Sequence, residues 1–189
     1  MLQRRSYLLA SVLVPCLLAG TLSGCAGKDR QYRGHGVSLH YPNNWERATF
    51  AGHSAQNASG LWTEAFKPRS SSSKADMIFI SEYRTPVAIT KQNRVIYSAE
   101  VVASVSNVAK QAGGSMLAGP TEVTMGGLPG YGFRISAKTR DNLSSESRIL
   151  LVWSGKREYY VNCQHDTASS HAAEIERGCN KVIGSFKLN

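Results

Sequence analysis

Apolar and polar positions change period several times along the chain, and each change marks an element. An apolar run extends through Leu8-Leu9-Ala10 to Leu17-Leu18-Ala19-Gly20, interrupted by Ser11 and Pro15. Alternation of period two begins at Val37-Ser38-Leu39-His40-Tyr41, placing Val37, Leu39 and Tyr41 on one face of a strand, before Pro42-Asn43-Asn44 turns the chain into Trp45. Further strands are expected over about Phe50 to Gln56 and Leu61 to Phe66. Ser70-Ser71-Ser72-Ser73-Lys74 has the composition of a flexible, solvated connection. Met77-Ile78-Phe79-Ile80 is apolar at every position, as a central strand buried on both faces requires.

The period then changes to that of a helix. Over roughly Asn93 to Ala112, Val101, Val105, Val108 and Ala112 follow at helical spacing, widened by Val95, Val102 and Ala109. Glu100, Ser104, Asn107, Lys110 and Gln111 take the opposite face, and Gly113-Gly114 ends the helix. Gly126-Gly127-Leu128-Pro129-Gly130 lacks the Lys-Ser/Thr ending of a phosphate-binding loop and reads as a tight turn between strands. Alternation returns from Tyr131 to Thr139, with Tyr131, Phe133, Ile135 and Ala137 on one side and Arg134, Ser136, Lys138 and Arg140 on the other. Arg148 to Trp153 is strongly apolar, and Ser154-Gly155-Lys156 turns it back as a hairpin into Glu158 to Gln164. A last helix is expected from about Ala168 to Val182, with Ala168, Ile175, Cys179 and Val182 inward.

The first apolar run changes the picture of the whole chain. It follows a basic head, Met1-Leu2-Gln3-Arg4-Arg5, and ends in small residues, which makes residues 1–24 a secretory signal. Leu22-Ser23-Gly24-Cys25 resembles a bacterial lipobox, in which the Cys25 thiol accepts a diacylglyceryl group and the small residue Gly24 lets the peptidase reach the bond before it. Residues 25–36, rich in Gly and charge, are expected to be the lipidated N-terminus and a flexible tether, and residues 37–189 a single domain. Cleavage removes Arg4 and Arg5 and leaves 165 residues, so the net charge falls from +9 to +7. That charge reads first as a solvated basic surface; beside anionic lipid headgroups it would also favour membrane contact, and no nucleic-acid-binding motif accompanies it.

Cysteine arithmetic follows from the export signal. Cys16 is discarded and Cys25 is the lipidation site, leaving Cys163 and Cys179 as a pair in an oxidising compartment, where a disulfide is the economical reading. Tyr159, Val161 and Cys163 share one strand face while Cys179 lies on the apolar stripe of the last helix, so the bond would staple helix to sheet. The rival is a metal site drawn from Cys163, His165, Asp166, His171 and Cys179; its spacings are not those of common zinc pairs, and a disulfide excludes it. Neither G-x-S-x-G, H-E-x-x-H nor C-x-x-C occurs, and Glu174 and Glu176 do not share a helix face. His35, His40 and His53 read as solvated or hydrogen-bonded, and Arg134, Lys138 and Arg140 as a solvated basic stripe. The sequons at Asn57-Ala58-Ser59 and Asn142-Leu143-Ser144 are incidental in a bacterial lipoprotein. No catalytic residue, cofactor site or metal ligand is assigned.

Taken in order, several motifs make the chain similar to the PsbP-like superfamily, which includes a photosystem accessory protein, a Ran-binding nuclear protein and many bacterial lipoproteins. Val37-Ser38-Leu39-His40-Tyr41-Pro42-Asn43-Asn44-Trp45 resembles its opening strand and Tyr-Pro-x-x-Trp turn. Gly127-Leu128-Pro129-Gly130-Tyr131-Gly132-Phe133 resembles its G-x-P-G segment; Tyr159-Tyr160-Val161-Asn162 and Gly184-Ser185-Phe186-Lys187 resemble its closing strand and Ser-Phe end. The resemblance spans about Gly36 to Leu188 and implies an α+β fold, a central, mostly antiparallel sheet packed by helices as an α/β/α sandwich. It implies no common activity and carries over no functional residue.

The expectation is therefore a non-enzymatic binding or scaffold lipoprotein, held through Cys25 and meeting an envelope protein or lipid. Ala26 follows Cys25, so a two-membrane cell would send it to the outer membrane; a one-membrane cell would keep it on the outer face of the plasma membrane. The alternatives are an envelope hydrolase working around His165 and Asp166, or a lipid or glycolipid carrier with an apolar pocket between sheet and helix.

Overall fold

The structure, a computed structural model, describes residues 27–48, 60–139 and 141–189. The expected signal segment, Cys25, His53, Arg140 and the strand expected near residues 50–56 lie outside the described residues. Among those described, strands β1 (Arg30–Gly34), β2 (Val37–Tyr41), β3 (Trp45–Arg47), β4 (Gly60–Pro68) and β5 (Met77–Ile89) precede helix α1 (Arg94–Gln111). Strands β6 (Ser115–Met125), β7 (Leu128–Lys138) and β8 (Ser144–Asp166) follow, then helix α2 (Ala172–Ser185) and the short β9 (Lys187–Leu188).

Among the described residues every strand pairing is antiparallel. The main sheet has the order β3-β4-β5-β8-β7-β6, and a smaller one the order β1-β2-β9. β8 is a folded-back strand contributing two arms. Residues 144–152 pair with β7 and residues 155–164 with β5. The Thr167 N–H donates to Ser144 O (3.0 Å), which a straight strand of 23 residues, roughly 75 Å long, could not permit. Gly155, with φ +61°, makes the reversal, so the expected hairpin is present.

Strand alternation sorts the core into two layers. Ile149, Leu151 and Trp153 point with Tyr131, Phe133 and Ile135 toward Val105 and Ala109 of α1. Leu150 and Val152 point the other way, joining Phe66, Ile78, Ile80 and Val161 against Leu39, Tyr41, Ile175, Val182 and Phe186. The apolar runs in β5 and β8 thus arise because the sheet is covered on both faces, as in the expected sandwich. Cys163 and Cys179 are buried and disulfide-bonded, tying α2 to β8.

Four expectations need correction. Residues 30–34 are not tether: they form β1, because Tyr32 is buried in the core and its hydroxyl donates to Glu64 Oε1 (3.1 Å). The serine-rich segment is not a bland loop either, since Ser71 is buried and donates to the buried Asp76 Oδ2 (2.6 Å). On α1 the packed side is Arg94, Val105 and Ala109, flanked by Tyr97, Val101 and Val102; Val95, Ile96 and Val108 are 65 %, 75 % and 53 % exposed. The last helix starts at Ala172, because residues 167–171 are held in a turn by bonds to Asp166 and Ser169.

Candidate functional site

The residues that suggested catalysis or metal binding are engaged in holding the fold. His165 Nδ1 faces its neighbour's carbonyl, Asp166 O, at 3.2 Å. The Asp166 carboxylate accepts from Ser73 Oγ (3.1 Å) and from the Ala168 N–H (2.9 Å), and the Asp166 N–H donates to Asp76 Oδ1 (2.9 Å). Ser169 Oγ donates to Asp76 Oδ2 (2.5 Å), which completes a knot between the serine-rich loop and the approach to α2. Because Asp76 is fully buried, these donors offset the cost of desolvating its carboxyl group. The disulfide takes both thiols of the metal alternative. Among the described residues no three His, Cys, Asp or Glu side chains converge as ligands.

Glu174 and Glu176 part company as the helix geometry requires. Glu174 accepts from Trp45 Nε1 (2.9 Å) and Asn44 Nδ2 (2.8 Å) and meets His171 Nδ1 (2.8 Å). Burial pushes its carboxyl up, but the bonds from His171, Trp45 and Asn44 outweigh that and hold it below the usual carboxylate range. Glu176 pairs with Arg148 (2.8 Å), and Arg134 of the basic stripe lies 3.6 Å from Glu146.

A cleft of about 710 Å³ opens where the N-terminus of α1 meets the β6–β7 and β8 turns. Ile89, Val123, Pro129 and Trp153 supply apolar wall; Thr90, Lys91, Arg94, Glu122 and Thr124 supply polar groups. Arg94 is the unusual member, only 6 % exposed. Its Nη2 donates to Glu122 Oε1 (2.8 Å), its guanidinium carbon lies 5.2 Å from the centre of the Tyr131 ring, and its buried Nε has no hydrogen-bond partner. Glu122 is itself 71 % exposed, so a desolvated cation is balanced by a solvated surface carboxylate. Behind this wall Trp153 Nε1 donates to Glu158 Oε2 (2.8 Å), and burial pushes the Glu158 carboxyl up against the pull of that bond. The cleft lies at the N-terminal end of α1, beside the layer in which Val105 and Ala109 pack against the sheet.

A second polar group crosses the other face. Glu82 is 2 % exposed, accepts from Trp62 Nε1 (2.9 Å) and has Arg157 Nε 3.4 Å from its Oε1. His35, in the left-handed region at φ 52°, stacks on Trp62 with ring centres 4.9 Å apart. Neither Arg94 nor Glu82 was singled out from the sequence. For Glu82 a signal existed: it continues the inward parity of Ile78 and Ile80.

No protein-family model matches the sequence, and no curated protein does. Solved structures do match. The cyanobacterial PsbP (CyanoP) of Synechocystis superposes with a TM-score of 0.57 at 14 % identity, over 90 % of this chain and 100 % of that one. The fold is PsbP-like. LpqN of Mycobacterium tuberculosis, described as involved in cell envelope biogenesis, gives 0.55 at 11 % identity over 86 % and 91 %. A protein of Bacteroides thetaiotaomicron gives 0.53 at 12 % over 87 % of this chain, which spans about half (49 %) of that protein.

The motifs that carried the resemblance work as structure in this PsbP-like fold. Trp45 is fully buried, and its ring fills the space where Gly178 of α2 lacks a side chain. Gly126 and Gly127, at φ +59° and +80°, form the two-residue turn between β6 and β7. A Cβ at Gly130 would lie 2.0 Å from Leu151 O, so only glycine permits β7 to approach β8 there. Ser185 Oγ accepts from the His40 N–H (2.7 Å), and Phe186 packs edge-on against Tyr159.

Proposed function

We propose that the chain is a non-enzymatic binding or scaffold protein of a bacterial cell envelope, anchored through acylated Cys25. The observation that carries the binding reading is the cleft beside α1. A buried guanidinium, the Lys91 ammonium and the Thr124 hydroxyl in front of an apolar wall are groups that hold a ligand in place by charge and shape. LpqN, described as involved in envelope biogenesis, shares the fold and supports the setting. The reading is tested in cells. Cys25→Ser is expected to abolish acylation and release the protein from the membrane fraction. A photo-crosslinker at position 91, in the cleft, is expected to capture a discrete lipid or protein that the same crosslinker at position 110 does not. Identical adducts from both positions would refute the cleft as the binding site.

A further inference from the structure

We propose that the surface around Gly27 is a basic collar that rests on anionic lipid headgroups. The proposal depends on the reading of Cys25 as the acylated residue, and what it adds is the face that meets the bilayer. Covalent geometry sets the reach: two peptide units separate Cys25 from Gly27, so their Cα atoms lie within about 7.6 Å. Gly27 is itself exposed, with the end of the Asn43 side chain against it: a Cβ there would fall 2.2 Å from Asn43 Nδ2. The residues after it are tied to the domain, by the Asp29–Lys181 ion pair and by Arg30 opposite Tyr41 in the β1–β2 ladder. The polar headgroup layer of one leaflet is about 5–8 Å deep. An acyl group on Cys25 therefore brings this end of the domain into or against that layer.

The residues brought along are basic. Lys28 and Arg30 are exposed on the approach to β1 and on the strand itself. Arg177 is exposed one helical turn before Lys181 on α2, and Arg69 is exposed beside the turn, its N–H donating to Asn44 O (3.2 Å). The nearby carboxylates are occupied: Asp29 by Lys181, and Glu174 by His171, Asn44 and Trp45. No described carboxylate pairs with Lys28, Arg30, Arg69 or Arg177, so they remain to meet lipid phosphates. Each cation near an anionic membrane is worth about fivefold in local association. Helix α1 is on the far side of the sheet, which makes its exposed Lys110 an internal reference.

The test reconstitutes the full acylated protein in vesicles of phosphatidylcholine, with or without phosphatidylglycerol. Amine acetylation is followed residue by residue in a mass spectrometer, which also reads the Cys25 adduct. Lys28 is expected to react at least about fivefold more slowly on phosphatidylglycerol vesicles. Salt should reverse that protection, Arg30→Glu with Arg177→Glu should abolish it, and Lys110 should react equally on both. Acylated Cys25 with Lys28 equally reactive on both vesicles overturns the collar and leaves the anchor standing. Protection on cells but not on vesicles assigns the surface to an acidic protein and overturns the lipid proposal. Unmodified Cys25 overturns the anchor, and with it the collar.

Discussion

The same substitution at two places on α2 should change stability in opposite directions. Replacing a helical glycine by alanine removes backbone entropy from the unfolded chain and is worth about 1 kcal/mol where space allows. Gly184 has space: it is exposed, and nothing lies within 4 Å of a Cβ built there. Gly184→Ala is expected to stabilise by about 0.5–1 kcal/mol. At Gly178 the Cβ would fall 2.5 Å from Trp45 Cη2 and 2.6 Å from Cζ2. The indole cannot simply slide away, because it is fully buried and pinned by Nε1 to Glu174 Oε1 (2.9 Å). Overpacking costs about 1–3 kcal/mol, and losing the bond to the carboxylate adds about 1.5–3 kcal/mol if the ring must move. Set against a helix gain of about 1 kcal/mol, Gly178→Ala should destabilise by roughly 0–2 kcal/mol if the bond survives and by roughly 1.5–5 kcal/mol if it is lost. In a domain of this size each kcal/mol shifts Tm by about 2–4 °C. Urea and thermal unfolding followed by circular dichroism on oxidised protein would measure both changes. If Gly178→Ala raised stability as much as Gly184→Ala, the packing of α2 on the Tyr-Pro-x-x-Trp turn would be wrong.

Three further outcomes follow from the core and its carboxylates. Cys163 and Cys179 are 16 residues apart, so replacing both by serine should cost about 3 kcal/mol in the chain-entropy account, and reductant should lower the Tm of the wild type but not of the double variant. Glu82→Ala strands the buried Trp62 N–H and should cost about 1–3 kcal/mol in urea unfolding; a neutral result would mean that Trp62 Nε1 has another partner. Glu174, held below its ordinary value of 4.5 when folded, contributes stability that is complete above that value and is lost as pH falls below it. Glu158 is raised above 4.5, so the folded protein binds its proton more tightly and that contribution is lost as pH rises past 4.5. Stability-versus-pH curves should therefore flatten on the acid side for Glu174→Gln and above 4.5 for Glu158→Gln; the reverse pattern would contradict both assignments.

What could be read locally depended on short-range chemistry. The reversal at Gly155 and the Gly126-Gly127 turn were legible because a tight turn needs positive φ, which glycine adopts freely. The Cys163–Cys179 bond was legible because strand parity and helix spacing put both sulfurs on inward faces. Strand β1 was hidden by its composition: Tyr32 is the one fully inward side chain in a polar segment. Strand β6 was hidden because it is an edge strand with little to bury, so no alternation marks it. The inward side of α1 also escaped, since valines and an isoleucine surround that helix and periodicity alone cannot say which stripe meets the sheet.

The candidate site divides in the same way. By itself the sequence determined the inward faces of β2, β7 and β8, the two main turns and the cysteine pairing, because these follow from side-chain period and backbone conformation within a few residues; the α+β class came from the order of the motifs that the chain shares with the PsbP-like superfamily. Only the tertiary structure decided that Arg94 is buried beside Glu122 and Tyr131, or that Glu82 is buried with Trp62 and Arg157. It also placed residues 30–34, expected as tether, in strand β1 with Tyr32 in the core. A buried charge needs partners, and these come from strands distant in the chain that meet only once the sheet has closed.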